Sequence, residues 1–367
     1  MTKRIIHETV TTVTSEFQVI DLCEAGRYRE AAIALDGLDP EKNPLAFGMV
    51  ETARGNQELA KDYLSRAVRE GAGDRATVQL ACAYWRSGES KEAEALLAAL
   101  PDSFEVLLLK AIVVGELDPR DALDHLARAT KYQVSEGLQA RLHNQRALLL
   151  RKIGEKDRAI QEYEAAVHYF ELAGSDCIPI VIKNLAGVYS DYGEHARAHE
   201  QIDKAIALLR TDTDHRAKAF DQKARIYLAE GDYENAKVFA TKAISLIENT
   251  DKKAWLAECV LTFATVFIRR QEFARALNQL ERAEQIGSYL NNDQVVLDSA
   301  TLKKQLGEEL IATAEVNRIE SALRSTDSIR AAAKKLQVSH VALLNSMDRY
   351  QIPHKPRRKS LIATERS

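Results

Sequence analysis

Glycine and proline are scarce in this 367-residue chain, at 16 and 7, and cysteine is scarcer, at 4. Collagen-like and low-complexity chains need far more Gly and Pro, and disulfide frameworks far more Cys. Cys23, Cys82, Cys177 and Cys259 stand far apart, with no CxxC or metal-ligand spacing. They read as reduced, helix-packed thiols. Long apolar runs are also missing. Val106–Leu109 and Ala111–Val114 are split by Lys110, whereas a membrane span needs roughly 20 apolar residues in succession. The first stretch, MTKRIIHETVTTVTSEF, has no apolar core of a secretory signal. The expectation is a cytoplasmic protein with no membrane partner.

Catalytic signatures are equally thin. There is no GxxxxGK loop to cradle a nucleotide phosphate, and no GxGxxG turn. His195 and His199, in HARAH, are four apart on one helix, a spacing that can bind a metal. A zinc protease of that pattern carries Glu directly after the first His, and here Ala196 stands there. The pair reads as ordinary surface histidines. No Ser/His/Asp or Cys/His set can be assembled, and the carboxylates are dispersed. The expectation is a chain with no catalytic residues, no metal and no cofactor.

Charge is abundant but unevenly placed. Val316 to Ser367 holds 11 Lys+Arg against 4 Asp+Glu, a net +7 within a chain of net −3, so the rest is acidic. A basic block on an acidic body calls for an acidic partner, nucleic acid first.

Ala, Leu, Glu, Lys and Arg dominate the body, with Gly and Pro falling between segments, which reads as helix throughout. The helices come in repeating pairs. NQRALLLRKIGEKDRAIQEYEAAV, KNLAGVYSDYGEHARAHEQIDKAI, QKARIYLAEGDYENAKVFATKAI and LTFATVFIRRQEFARALNQLERAE share one spacing. Each has a small residue, a larger one three on, a turn, then two alanines seven apart. These are Ala147/Leu150/Gly154/Ala159/Ala166, Ala186/Tyr189/Gly193/Ala198/Ala205, Ala224/Tyr227/Gly231/Ala236/Ala243 and Ala264/Phe267/Gln271/Ala276/Ala283. Small residues let two antiparallel helices approach closely, and the large one fills the next layer. Gly closes the first helix because it takes a left-handed backbone without a Cβ clash. Weaker copies place second-helix alanines at Ala31, Ala60, Ala93 and Ala122.

This pattern resembles the tetratricopeptide repeat (TPR), whose unit is about 34 residues. The resemblance implies an all-α, TPR-like helical-repeat superhelix of about eight helix pairs over residues 1–293. A capping or connecting helix is expected over 294–314. It further implies a groove lined by the first helix of each pair. The TPR groove positions correspond to Arg141, Asn144, Gln145, Arg151, Lys183, Asn184, Lys218, Gln222, Arg225 and Arg269. Amides can hold a peptide backbone and guanidiniums a carboxylate. A protein or peptide ligand is therefore expected there, the other reading being a plain solvated face.

Residues 315–352 read as a small separate module. Ser328–Leu336 forms a first helix capped by Thr326 or Asp327, Gln337–Ser339 a turn, and His340–Tyr350 a second helix capped by Ser339. Ile319, Ala322, Leu323, Ile329, Ala332, Ala333, Leu336, Val338, Leu343, Leu344 and Met347 can share a core. That geometry is a helix-turn-helix, whose second helix can enter the major groove. SIRAAAKKLQVSH followed by an aliphatic helix and RYQI resembles the Fis-type module of NtrC-class activators, in its TyrR flavour. In this sequence Gln337 replaces a turn Gly and Met347 a Leu, and Asp348 stands where a basic residue is common.

The resemblance implies double-stranded DNA as partner and a homodimer on near-palindromic sites. It places Ser339, His340, Val341, Asn345 and Arg349 near the groove. Asn345 can read a base edge, and Val341 or Ala342 can meet a thymine methyl. Arg330, Lys334, Lys335 and the basic tail over 353–367 (Lys355, Arg357, Arg358, Lys359) would bind phosphates. The expectation is a DNA-binding transcriptional regulator whose array docks or senses a partner. The alternative is a TPR adaptor without specific DNA binding, its C-terminus docking on another protein.

Overall fold

The computed structural model describes residues 15–290 and 292–354. Among the described residues there are nineteen α-helices and no strand. The chain divides into two compact units at Cys259/Val260.

The first unit is a run of helix pairs: α1 (Glu16–Glu24) with α2 (Tyr28–Leu35), α3 (Pro44–Arg54) with α4 (Gln57–Arg69), and α5 (Gly73–Arg86) with α6 (Ser90–Ala98). Next come α7 (Phe104–Val114) with α8 (Pro119–Ala129), and α9 (Glu136–Lys152) with α10 (Lys156–Leu172). Then follow α11 (Ile178–Asp191) with α12 (His195–Leu208), and α13 (Thr213–Glu230) with α14 (Tyr233–Ile247). The unit boundary falls inside α15 (Lys253–Arg269).

The alanine periodicity is the packing code. Ala31, Ala60, Ala93, Ala122, Ala159, Ala198, Ala236 and Ala276, one per second helix, are all 0% exposed. A methyl at each seam is what the helix separation admits. Leu150, Tyr189 and Phe267 are buried as the layer-filling residues. Tyr227 is only half-buried; its ring stacks on Phe239 at 5.5 Å and tilts against His199 at 4.5 Å.

One turn recurs. The amide two or three residues past each first helix donates back to the carbonyl of the layer-filling residue: Glu155 to Leu150, Glu194 to Tyr189, Asp232 to Tyr227 and Glu272 to Phe267, at 2.8–2.9 Å. This closure needs a left-handed residue between. Gly154, Gly193 and Gly231 supply it, and in the fourth copy Gln271 is forced to φ 59°.

The second unit holds the rest of α15, α16 (Phe273–Tyr289), α17 (Asp293–Arg324), α18 (Ile329–Lys335) and α19 (His340–Arg349). α17 is one 32-residue helix. It runs through the 314/315 position at which the sequence reading places a domain boundary. Its only glycine is Gly307 and it has no proline, so nothing stops it before Ser325. Its last turns donate Ile319 and Ala322 to a core with Ala332, Ala333, Leu343, Met347 and Ile352. This is the three-helix core expected for the C-terminal module.

Candidate functional site: a helix-turn-helix face and an inner-helix wall

The helix-turn-helix is built by capping and one strained turn. Ser328 caps α18 by accepting the Ala331 amide at 3.2 Å. The sequence reading gives that role to Thr326 or Asp327; Thr326 instead donates to the Ala322 carbonyl at 2.8 Å. Ser339 caps α19 as expected, accepting the Ala342 amide at 3.0 Å. Between them Gln337 takes φ 56° while the Val338 amide donates to the Ala333 carbonyl at 3.1 Å. This is the αL closure that Gly makes in related turns.

The packing then decides which face of α19 is left over. Leu343 and Met347 are buried against α17 and α18. Val341, Asn345 and Arg349, spaced four apart, are exposed along one stripe, with Ser339 exposed and His340 half-buried at its start. Val341 is 64% exposed, an apolar side chain facing outward on a helix whose apolar side is otherwise inward. Arg330, Lys334 and Lys335 are exposed on α18. None of these three, nor Arg349, is held in an ion pair among the described residues; Lys335 donates to Ser325 Oγ at 2.8 Å. Arg318 and Arg324 of α17 are by contrast matched with Glu315 and Glu320. Asp348 has a partner that sequence reasoning missed: His354 Nε2 lies 2.7 Å from its carboxylate. Lys355, Arg357, Arg358 and Lys359 lie outside the described residues.

The inner-helix residues fall into distinct settings. Arg141 does not face open space. Its guanidinium donates to the Cys23 carbonyl and, at 2.8 Å, to the Tyr28 hydroxyl. Arg151 is held by Asp191 at 2.6 Å. Asn144, Gln145, Asn184 and Gln222 are half-buried, and Asn144 Oδ1 is buried with no hydrogen-bond partner among the described residues. Lys183, Lys218 and Arg225 come together. Lys218 is paired with Glu258, and Arg225 sits 3.0 Å from the buried Asp221. Lys183, half-buried beside them, has no ion-pair partner among the described residues. Burial, and then the neighbouring Lys218 charge, lowers its pKa from the usual lysine value to about 8. Arg269 belongs to the second unit, where it lies 3.8 Å from Glu309 of α17.

Other clusters carry less. His199 is engaged by Glu230 at 3.0 Å, and among the described residues no group of His, Cys, Asp and Glu could hold a metal ion. All four cysteines are free thiols. Burial raises the thiol pKa of Cys23 to about 12 and also raises those of Cys82 and Cys177. No helix of the described residues is long and apolar enough to cross a membrane.

Comparison with known proteins agrees with both halves. A family described as a helix-turn-helix domain matches residues 304–353. The tetratricopeptide repeat matches residues 140–169 and 217–250. No curated protein matches the chain. Among solved structures, a Rap protein complexed with Competence and Sporulation Factor is similar with TM-score 0.57 at 12% identity, over 92% of this chain and 99% of that one. The APC/C hetero-tetramer Cut9-Hcn1 matches with TM-score 0.50 at 17% identity, over 66% of this chain and 48% of that one. The human IFIT1 dimer with PPP-AAAA also matches with TM-score 0.50 at 17% identity, over 77% and 69%. At such identities the likeness is one of fold.

Proposed function

We propose that this chain, tetratricopeptide repeats joined to a C-terminal helix-turn-helix domain, is a transcriptional regulator that binds duplex DNA and docks a protein or peptide on its repeats. Tetratricopeptide repeats imply protein–protein interaction and the helix-turn-helix implies DNA binding. The observation that carries the finer reading is the outer face of α19. It presents an apolar side chain, an amide and a guanidinium in one stripe, flanked by exposed cations on α18 that have no ion pair among the described residues. A helix that only capped the repeat array would not need that combination. A helix read against base edges does, with Asn345 hydrogen-bonding a base, Val341 against a thymine methyl and Arg349 on a base or phosphate. The α19 N-terminus, already capped by Ser339, offers free amides to a phosphate.

The module is of Fis type in this reading. It acts as a homodimer in the cytoplasm, two modules meeting a near-palindromic site. The wall around Lys183, Asn184, Lys218 and Gln222 is where an acidic or backbone-presenting segment of a partner would be held.

The test is duplex binding at several salt concentrations. Lys334→Ala is expected to weaken binding to all sequences alike and to reduce the slope of log K against log salt by about one. Asn345→Ala is expected to cost ~1–3 kcal/mol at one base position and leave that slope nearly unchanged. Binding with no sequence preference, unaffected by Asn345→Ala, would reject the regulator reading in favour of an adaptor.

A further inference from the structure

Stacked repeats ordinarily touch only their neighbours in sequence. The first unit departs from that rule where the α1–α2 turn meets α9 and the segment before α11. The Asp176 amide donates to the Gly26 carbonyl at 3.0 Å, and Ser175 Oγ donates to the same carbonyl at 3.2 Å. In return the Arg29 amide donates to Asp176 Oδ2 at 3.0 Å. Arg141 adds its bonds to Cys23 and Tyr28. Further along, Lys252 Nζ donates to the Arg54 carbonyl at 2.7 Å. The partners are 113 to 198 residues apart.

Two glycines make the approach possible. A Cβ on Gly137, inside α9, would lie 2.5 Å from both the Ala25 Cα and the Glu24 carbonyl oxygen. A Cβ on Gly26 would lie 2.4 Å from Ser175 Oγ. The seam is therefore backbone against backbone, with polar side chains bridging it.

The apolar packing does not follow the seam. The core of α1 to α5, around Val19, Leu45, Leu64 and Leu80, is one cluster. The core of α9 to α13, around Tyr163, Phe170, Val188 and Ile202, is another. Contacts of polar groups that regain water when parted cost far less to open than an apolar core of the same size. Neither cluster spans the seam.

We propose that this seam is an internal latch. Closed, the α1–α2 turn lies on the inner side of α9 and occupies the Arg141 guanidinium. Open, it exposes that side and frees Arg141 for a partner carboxylate or carbonyl. Latch closure and occupation of α9 by a partner then exclude one another. This goes beyond the DNA-binding reading and does not depend on it.

The experiment is hydrogen exchange of the full-length protein, followed by mass spectrometry across low urea concentrations without DNA. Peptides covering residues 24–31 and 175–181 are expected to share one opening with a small urea dependence. Peptides from the α10 core, residues 159–170, should open only with a much larger one. Asp176→Ala is expected to speed exchange in the first two peptides by roughly tenfold, a shift of about 1.4 kcal/mol in their opening, and to leave the α10 core unchanged. Gly137→Ala should act in the same direction and more strongly; should it fail to fold, Asp176→Ala alone decides. A single urea dependence for all three peptides would overturn the latch. So would an Asp176→Ala effect confined to residues 175–181, with none on residues 24–31.

Discussion

Lys183 tests how the inner wall is built. It is half-buried among Lys218, Arg225, Asp221 and Glu258, with its own charge unpaired among the described residues, and its pKa falls from 10.5 to about 8. Below about pH 8 both states are protonated and the folded state bears the full cost of a desolvated, like-charge-crowded ammonium. Between about 8 and 10.5 the folded state releases its proton while the unfolded state keeps it, so stability rises with pH. Above that both are neutral and the cost is gone. The full shift corresponds to about 3 kcal/mol, and partial solvent contact reduces the expected gain to about 1–2 kcal/mol. Lys183→Met is therefore expected to stabilise the first unit at pH 7 by about 1–2 kcal/mol, with the advantage over wild type vanishing as pH rises from 8 to 10.5. Trp85 and Trp255, the chain's two tryptophans, both lie in the first unit and report its urea unfolding by fluorescence. A variant less stable than wild type at pH 7, or a difference constant from pH 7 to 10.5, would refute the assignment of Lys183 as an unpaired charge.

Three further outcomes follow from the packing and the turns. Gln271→Gly and Gln337→Gly relieve left-handed non-glycine residues and should each stabilise their local turn by about 1 kcal/mol, read as slower hydrogen exchange at the Glu272 and Val338 amides. Ser339→Ala removes the α19 cap and should cost the C-terminal module about 1 kcal/mol, seen as faster exchange in α19 with the first unit unaffected. Ala166→Leu forces a larger side chain into a seam with no exposed surface and should cost the first unit about 1–3 kcal/mol, lowering its urea midpoint.

Local rules made much of the fold legible. Alanines seven apart and a left-handed turn residue specify a helix pair from about 25 positions, and the same rule holds where Gln271 replaces Gly. The C-terminal module was readable for the same reason: Ser339, Val338, Leu343 and Met347 act within twenty residues of one another. The long helix α17 was harder to read. Sequence reasoning expects a break where function changes, but helix continuation depends only on local propensity, and residues 308–324 offer no breaker. The seam between residues 23–29 and 175–177 was not legible at all. It joins ordinary turn residues far apart in the chain, and its one local hint is Gly137, a glycine in the first turn of α9 that the close approach of the α1–α2 turn explains. The Asp348–His354 contact was missed because neither residue is informative without the turn at Gln351 that brings them together. Arg141, which the family positions place in a partner groove, binds Cys23 and Tyr28 of this chain instead.

The most direct measurement of the central claim is recovery of genomic DNA fragments by the full-length protein and by its Asn345→Ala/Arg349→Ala variant, at physiological ionic strength. A shared, near-palindromic motif enriched by the wild type and lost in a variant whose repeats remain folded is the predicted result. No enrichment, or the same fragments recovered by both proteins, would contradict DNA recognition by α19.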